Sequence, residues 1–199
     1  MIPRQLAHVL MKLGYCDEAL PLAAEAEELG GQPKVAVEAT CAWRRRDVDA
    51  LNATGYRFKE VGFGFLYEAM EMSVEEFNEA RLYEDSPLRP VMAERMRALW
   101  EENPDESKNM HVYWIIATAT DIGDLDLVFD VLDNIANEDG FPSYSIAWSP
   151  LFVDSENSSR LRSDPRFVAM LEKTGYPEYW REYGWPTGCE ADGDSFRCF

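Results

Sequence analysis

Apolar side chains recur along this chain at spacings of three and four rather than two, a helical pattern almost from end to end. Leu6, Val9, Leu10 and Leu13 share one face of a predicted helix over residues 3–13, which Gly14 breaks. Ala19, Leu22, Ala23, Ala26 and Leu29 form the stripe of a second helix over 16–29, ended by Gly30-Gly31 with Pro33 shortly beyond. Together they make a helical hairpin with a tight turn. Ser73 reads as an N-cap ahead of Val74-Glu75-Glu76-Phe77. Ser86 and Pro87 open a helix over 87–102, closed by Asn103-Pro104. Residues 109–121 and 125–137 form the last clear hairpin, ended by Gly140 and Pro142. Asp164-Pro165 starts a further helix whose Phe167, Met170 and Leu171 face inward, with Gly175 as its stop. Alternation rich in Val, Ile and Thr is absent, so no strand is predicted.

The hairpin turn repeats. Gly14-Tyr15-Cys16-Asp17-Glu18-Ala19-Leu20 aligns with Arg45-Arg46-Asp47-Val48-Asp49-Ala50-Leu51 and with Gly123-Asp124-Leu125-Asp126-Leu127-Val128-Phe129. The separations are 31 and 78 positions, and the larger gap has room for further units, one candidate being 69–77. A two-helix hairpin cannot bury its apolar face alone, so repeated hairpins are expected to stack as a solenoid. Ala19 and Ala50 are small where two helices approach, while Val128 is larger.

Composition narrows the function classes. With 199 residues, 46% apolar and 28% charged, the chain is one globular domain or one run of repeats. The net charge is −18, which argues against nucleic-acid binding. Residues 61–140 hold 19 acids and 5 bases, a balance of −14, so this stretch carries most of the charge. It is either a solvated face or a docking surface for a cationic partner. Arg44-Arg45-Arg46 beside Asp47 and Asp49 reads as a helix end rather than a phosphate site. Apolar runs such as Trp114 to Ala117 are far too short to span a bilayer. No signal peptide is visible.

Candidate chemistry is sparse. Cys16 and Cys41 fall on predicted helices and read as buried small hydrophobes. Cys189 and Cys198 flank a polar segment with little means of ordering itself, and a disulfide there would stabilise it by roughly 2–3 kcal/mol. Such a bridge suits an oxidising compartment such as a periplasm; without it the chain suits a cytoplasm. His8 and His111 are isolated, no Cys-x-x-Cys pair exists, and Asp192-Gly193-Asp194 lacks the downstream Glu of a calcium loop. No metal or cofactor is therefore expected. Nor is an enzyme, because Gly-x-Ser-x-Gly, His-Glu-x-x-His and phosphate-cradling glycine loops are all missing; a hydrolase using two carboxylates is the remaining catalytic option. Tyr176, Tyr179, Trp180, Tyr183 and Trp185 form an aromatic cluster, either a cap on the last repeat or a ligand cage.

Gly14-x-x-Asp17-Glu18-Ala19-Leu20 and Gly123-Asp124-x-Asp126-x-Val128 resemble the turn and second helix of the tetratricopeptide repeat, whose unit is about 34 residues. Leu161-Arg162-Ser163-Asp164-Pro165-Arg166-Phe167, Gly175-Tyr176-Pro177-Glu178-Tyr179-Trp180-Arg181 and Gly184-Trp185-Pro186-Thr187-Gly188-Cys189 are similar to the tail of repeat regions in bacterial signalling proteins. Those proteins carry a winged-helix DNA-binding domain or a class III adenylate cyclase domain ahead of the repeats. The opening Met1-Ile2-Pro3 fits a cut inside a longer protein of this kind. The resemblance implies an all-α, right-handed superhelix of hairpins over residues 1–145 and an aromatic helical cap over 146–199. It implies a regulatory module for protein–protein interaction, its partner a protein or peptide, a basic one matching the acidic stretch. The family's groove positions carry over to Gln5, Trp43, Met70, Tyr113 and Asp121. A homodimer through the uncapped first repeat is a further expectation. The alternative is a small-molecule sensor in which the acidic stretch holds a cationic ligand such as a polyamine.

Overall fold

The computed structural model describes residues 2–12, 14–29, 34–61, 64–102, 111–137, 156–173, 175–186 and 188–199. Among them stand twelve helices and one two-stranded sheet. The helices are α1 (Ile2–Lys12), α2 (Cys16–Glu28), α3 (Val35–Arg44), α4 (Val48–Glu60), α5 (Phe65–Ala69) and α6 (Val74–Leu82). They continue as α7 (Leu88–Glu102), α8 (His111–Ile122), α9 (Leu125–Asn137), α10 (Glu156–Ser163), α11 (Pro165–Glu172) and α12 (Tyr176–Tyr183). The strands are β1 (Cys189–Asp192) and β2 (Ser195–Cys198). The chain forms two compact units, Met1–Arg95 and Met96–Phe199, which meet inside α7. The expected boundary between 145 and 146 lies outside the described residues, as do the expected helix ends at Asn103-Pro104, Gly140 and Pro142.

One turn geometry recurs four times. At the end of α1, Gly14 adopts φ 88. Its N–H donates to the Met11 carbonyl at 3.1 Å, and the Tyr15 N–H donates to the Leu10 carbonyl at 2.9 Å. This bond pair is the Schellman closure of a helix. Arg46 (φ 54) repeats it, its N–H reaching Trp43 at 3.0 Å and that of Asp47 reaching Ala42 at 2.9 Å. Glu71 (φ 47) does so through Glu68 and Tyr67, and Gly123 (φ 77) through Thr120 and Ala119. The next helix starts two residues later at Cys16, Val48 and Leu125, and three later at Val74.

This geometry shifts the second repeat by one residue. Arg46, not Arg45, is the counterpart of Gly14, so the two turns lie 32 positions apart. Leu51 rather than Ala50 then takes the buried place of Ala19 and Val128. The sequence alignment matched side-chain types, whereas the left-handed backbone position sets the register.

In the first unit α1 packs on α2, α3 on α4, and α4 on α6. The core of its first hairpin is made mostly of small side chains: Ala7 of α1, Cys16, Ala19 and Ala23 of α2, and Val37 and Cys41 of α3, with the longer Met11 of α1 beside them. Small residues let helices approach closely, and α1 turns its Ala7–Met11 side inward to use them. Leu6 and Val9, expected inside, are therefore 44% and 51% exposed, while Leu10 packs at the edge of the cluster. Cys16 and Cys41 are buried as expected but not separate: they form a disulfide, their Cα atoms 5.6 Å apart, joining α2 to α3. Between α4 and α6 the approach is closer still, since a Cβ on Gly55 would stand 2.4 Å from Val74 Cγ1.

In the second unit α8 packs on α9, α10 on α8, and α11 on both α9 and α10. Its interior uses larger side chains, with Ile116, Leu161, Phe167 and Leu171 completely enclosed. Asp164 caps α11 by accepting from the Arg166 N–H at 2.9 Å, with Pro165 in the first position, as the local sequence predicts. Ser73 likewise caps α6 in a reciprocal box with Glu76.

The segment between Cys189 and Cys198 is ordered as an antiparallel hairpin, contrary to the expectation of no strand. Cys189 faces Cys198 at its open end and Asp192 faces Ser195 beside the turn, with Gly193 at φ 60. A positive φ at the first of two loop residues is what a type II′ turn requires. The two cysteines are bonded, with Cα atoms 4.0 Å apart. Each strand has four residues and only Cys189, Phe196 and Cys198 are buried, so no apolar alternation was visible.

Two stability changes follow from the turns and the bridge. Glu71→Gly relieves a left-handed Cβ and is expected to raise stability by up to about 1 kcal/mol, whereas Gly123→Ala is expected to lower it by about 1–2 kcal/mol. Urea unfolding of both variants checks the opposite signs. The double change Cys16→Ala and Cys41→Ala keeps the small apolar volume but opens a loop of 25 positions. It is expected to cost roughly 3 kcal/mol in the same assay.

Candidate functional site

The five groove positions divide between the units. Gln5 is exposed on α1 beside Leu6 and Val9. Trp43 sits near the end of α3, half-buried against Ala42, Leu51 and Leu82. Met70 is fully enclosed at 0% exposure. It belongs to the core and offers a partner nothing: it follows the short α5 directly, just before the Glu71 turn, and its carbonyl accepts from Arg95. In the second unit Tyr113 lies on α8, its side chain outside the described residues. Asp121 is half-buried near the end of the same helix, and its carbonyl accepts from Asn157 Nδ2 at 2.8 Å, tying α8 to α10.

Ion pairs hold the helix ends, most of them between residues remote in sequence. Asp124 caps α9, accepting from the Leu127 N–H at 3.2 Å, and also receives both Nε and Nη2 of Arg97. Arg166 donates to Asp126 at 2.8 Å and to both oxygens of Asp164, while its guanidinium lies 4.3 Å from the centre of the Phe129 ring. In the first unit Arg45 pairs with Asp17 at 2.7 Å, Arg57 with Glu38, and Arg46 donates to the Leu82 carbonyl. The basic run at Arg44–Arg46 thus ends α3 and ties it to its neighbours.

These contacts shift several ionisations. The Arg166 guanidinium holds the Asp164 carboxyl below the usual carboxylate range, the Arg166 backbone N–H adding to this and burial opposing it. The hydrogen bond between Tyr56 and Glu75, at 2.6 Å, lowers the Glu75 carboxyl and raises the Tyr56 hydroxyl.

The aromatic cluster splits into two parts. Tyr176 stacks on Trp180, Trp180 meets Trp185 at 5.9 Å, and Trp185 stacks on the buried Phe196 of β2. Tyr179 and Tyr183 instead form an outward pair, their ring centres 4.6 Å apart and their side chains 57% and 65% exposed. Among the described residues no group of three or more His, Cys, Asp or Glu side chains is placed to hold a metal ion. No described helix is long and apolar enough to cross a membrane. Leu6, Val9, Tyr179 and Tyr183 leave apolar and aromatic side chains exposed on helix faces. Comparison with known proteins returns no matching family model, curated protein or solved structure.

Asp164 gives a pH dependence. Its folded value is depressed, so its contribution is fully present above the unfolded carboxyl pKa of about 3.9 and is lost as pH falls through the lower folded value. Stability should drop below a pH of about 4, and Asp164→Asn should flatten part of that drop. Thermal unfolding across an acid pH series checks this.

Proposed function

We propose that this chain is a non-catalytic helical-repeat module that binds a protein or peptide segment. In this reading its hairpins stack as a right-handed superhelix like tetratricopeptide repeats, and the module is the regulatory part of a bacterial signalling protein. The observation that carries the reading is the recurrence of one Schellman-closed turn at Gly14, Arg46, Glu71 and Gly123. A repeated turn sets the same reversal for successive hairpins, the geometric requirement of a stacked array. The exposed α1 face of Gln5, Leu6 and Val9 supplies an apolar surface on a first helix, where such repeats bind segments of other proteins. Both disulfides, which use all four cysteines, support an oxidising compartment.

The test is a photo-cross-linking residue at position 5, with the exposed position 28 on α2 as control. The protein captured only from position 5 is identified, purified and titrated against the chain. Leu6→Ser with Val9→Ser should weaken its binding by roughly tenfold or more. Equal capture from both positions, or unchanged affinity in the double variant, overturns the reading. A polyamine that raises the melting temperature while no peptide binds would replace it with the sensor function.

A further inference from the structure

The outward face of α12 is built as half of a contact that the chain completes elsewhere. Tyr179 and Tyr183 stand four residues apart on one row of the helix, and Glu178 and Glu182 form the adjoining row. Like charges at this spacing repel. Arg181 offsets Glu178, its Nη1 3.7 Å away, whereas Glu182 makes no ion pair among the described residues. The step is held firmly from below. The Tyr176–Trp180–Trp185–Phe196 series anchors the helix, and Arg181 donates to the Asp194 carbonyl at 2.8 Å. A preorganised aromatic pair loses little freedom when covered.

Single exposed tyrosines are common and mean little. Here two exposed rings touch, and the chain itself shows what completes such a group. Arg166 lies over the Phe129 ring while its guanidinium pairs with Asp126 and Asp164. The α12 step has the rings and the carboxylate, while the one guanidinium on the helix, that of Arg181, is engaged by Glu178 and the Asp194 carbonyl. Its surroundings select the sign of the occupant, for residues 172–199 hold six acids against three bases, even with Glu190 paired to Arg197. A second copy of a chain with net charge −18 is a poor match for that field. A planar guanidinium suits ring and carboxylate together better than an ammonium does. We propose that Tyr179, Tyr183 and Glu182 form a docking site for an arginine side chain presented by a basic peptide segment of a partner protein. The site uses none of the residues of the α1 face, so either surface can fail without the other.

The probe is an acetylated, amidated peptide of alternating arginine and glycine, titrated into the full chain and followed by calorimetry and by amide chemical shifts. Its lysine and citrulline counterparts serve as comparisons. The arginine peptide should shift amides of α12, bind severalfold more tightly than the lysine peptide, and lose its binding when citrulline replaces arginine. Tyr179→Ala with Tyr183→Ala should weaken binding by roughly tenfold or more, and Glu182→Gln by severalfold. Glu94→Gln, at an exposed acid on α7, should leave binding unchanged. All substituted side chains are exposed, and an unchanged helical circular dichroism spectrum verifies that the fold survives. Equal affinity for the arginine and lysine peptides, or equal losses at Glu94 and Glu182, would show unspecific charge attraction and overturn the proposal. So would shifts confined to elements other than α12.

Discussion

A single residue in the left-handed region closes each of four helices, and the arrangement of the hairpins depends on it. The last carbonyls of a helix have no partner within it. Turning one residue to positive φ lets its own N–H and that of the next residue satisfy two of them and sends the chain back along the helix it has just left. The second helix then begins at a fixed offset, so its apolar stripe meets that of the first. Glycine takes this position without strain at 14 and 123, while Arg46 and Glu71 are held there by their surroundings. The Arg46 guanidinium bonds the Leu82 carbonyl, and the Arg95 guanidinium bonds the carbonyl of Glu71 at 2.9 Å. Hydrogen bonds across the turn thus offset the cost of a Cβ in an unfavourable conformation.

Within that framework the two units reach stability differently. The first brings the helices of its opening hairpin close through alanines and cysteines, so that this cluster offers little apolar volume, while Met70, Phe77 and Met92 fill other parts of the unit. The Cys16–Cys41 bond supplies a constraint that such a core would otherwise lack. The second fills its interior with Ile, Leu and Phe, and ties its helix ends with the Arg97–Asp124 and Arg166–Asp164 pairs. Its small sheet packs on α10 and α11, with Phe196 buried under Trp185.

The same choices determine which side chains stay exposed. Because α1 buries its small side, Leu6 and Val9 remain outside. Because Tyr176 and Trp180 are used in the stack towards Phe196, Tyr179 and Tyr183 remain outside as well. Both surfaces are what internal packing leaves uncovered, and both lie in a chain whose acids outnumber its bases 37 to 19.

Features local in sequence were legible from it. The three-and-four spacing located α1 and α2, Ser73 and Asp164 announced the caps of α6 and α11, and Gly14 and Gly123 marked two of the turns. These signals act within one turn of helix, so neighbouring residues suffice to carry them. Arg46 and Glu71 gave no such signal, because an ordinary side chain in a left-handed turn is held there by distant groups. Whether α1 would bury Leu6 or Ala7 depended on the small residues of α2 and α3, which periodicity within α1 does not record. Met70 entered the core, Cys16 found Cys41, and the polar tail became a hairpin for the same reason: each was decided by a partner remote in sequence. The sequence by itself determined the helical character, two caps and two of the four left-handed turns; tertiary packing decided the other two turns and which face of each helix is hidden, since burial is a property of two surfaces meeting.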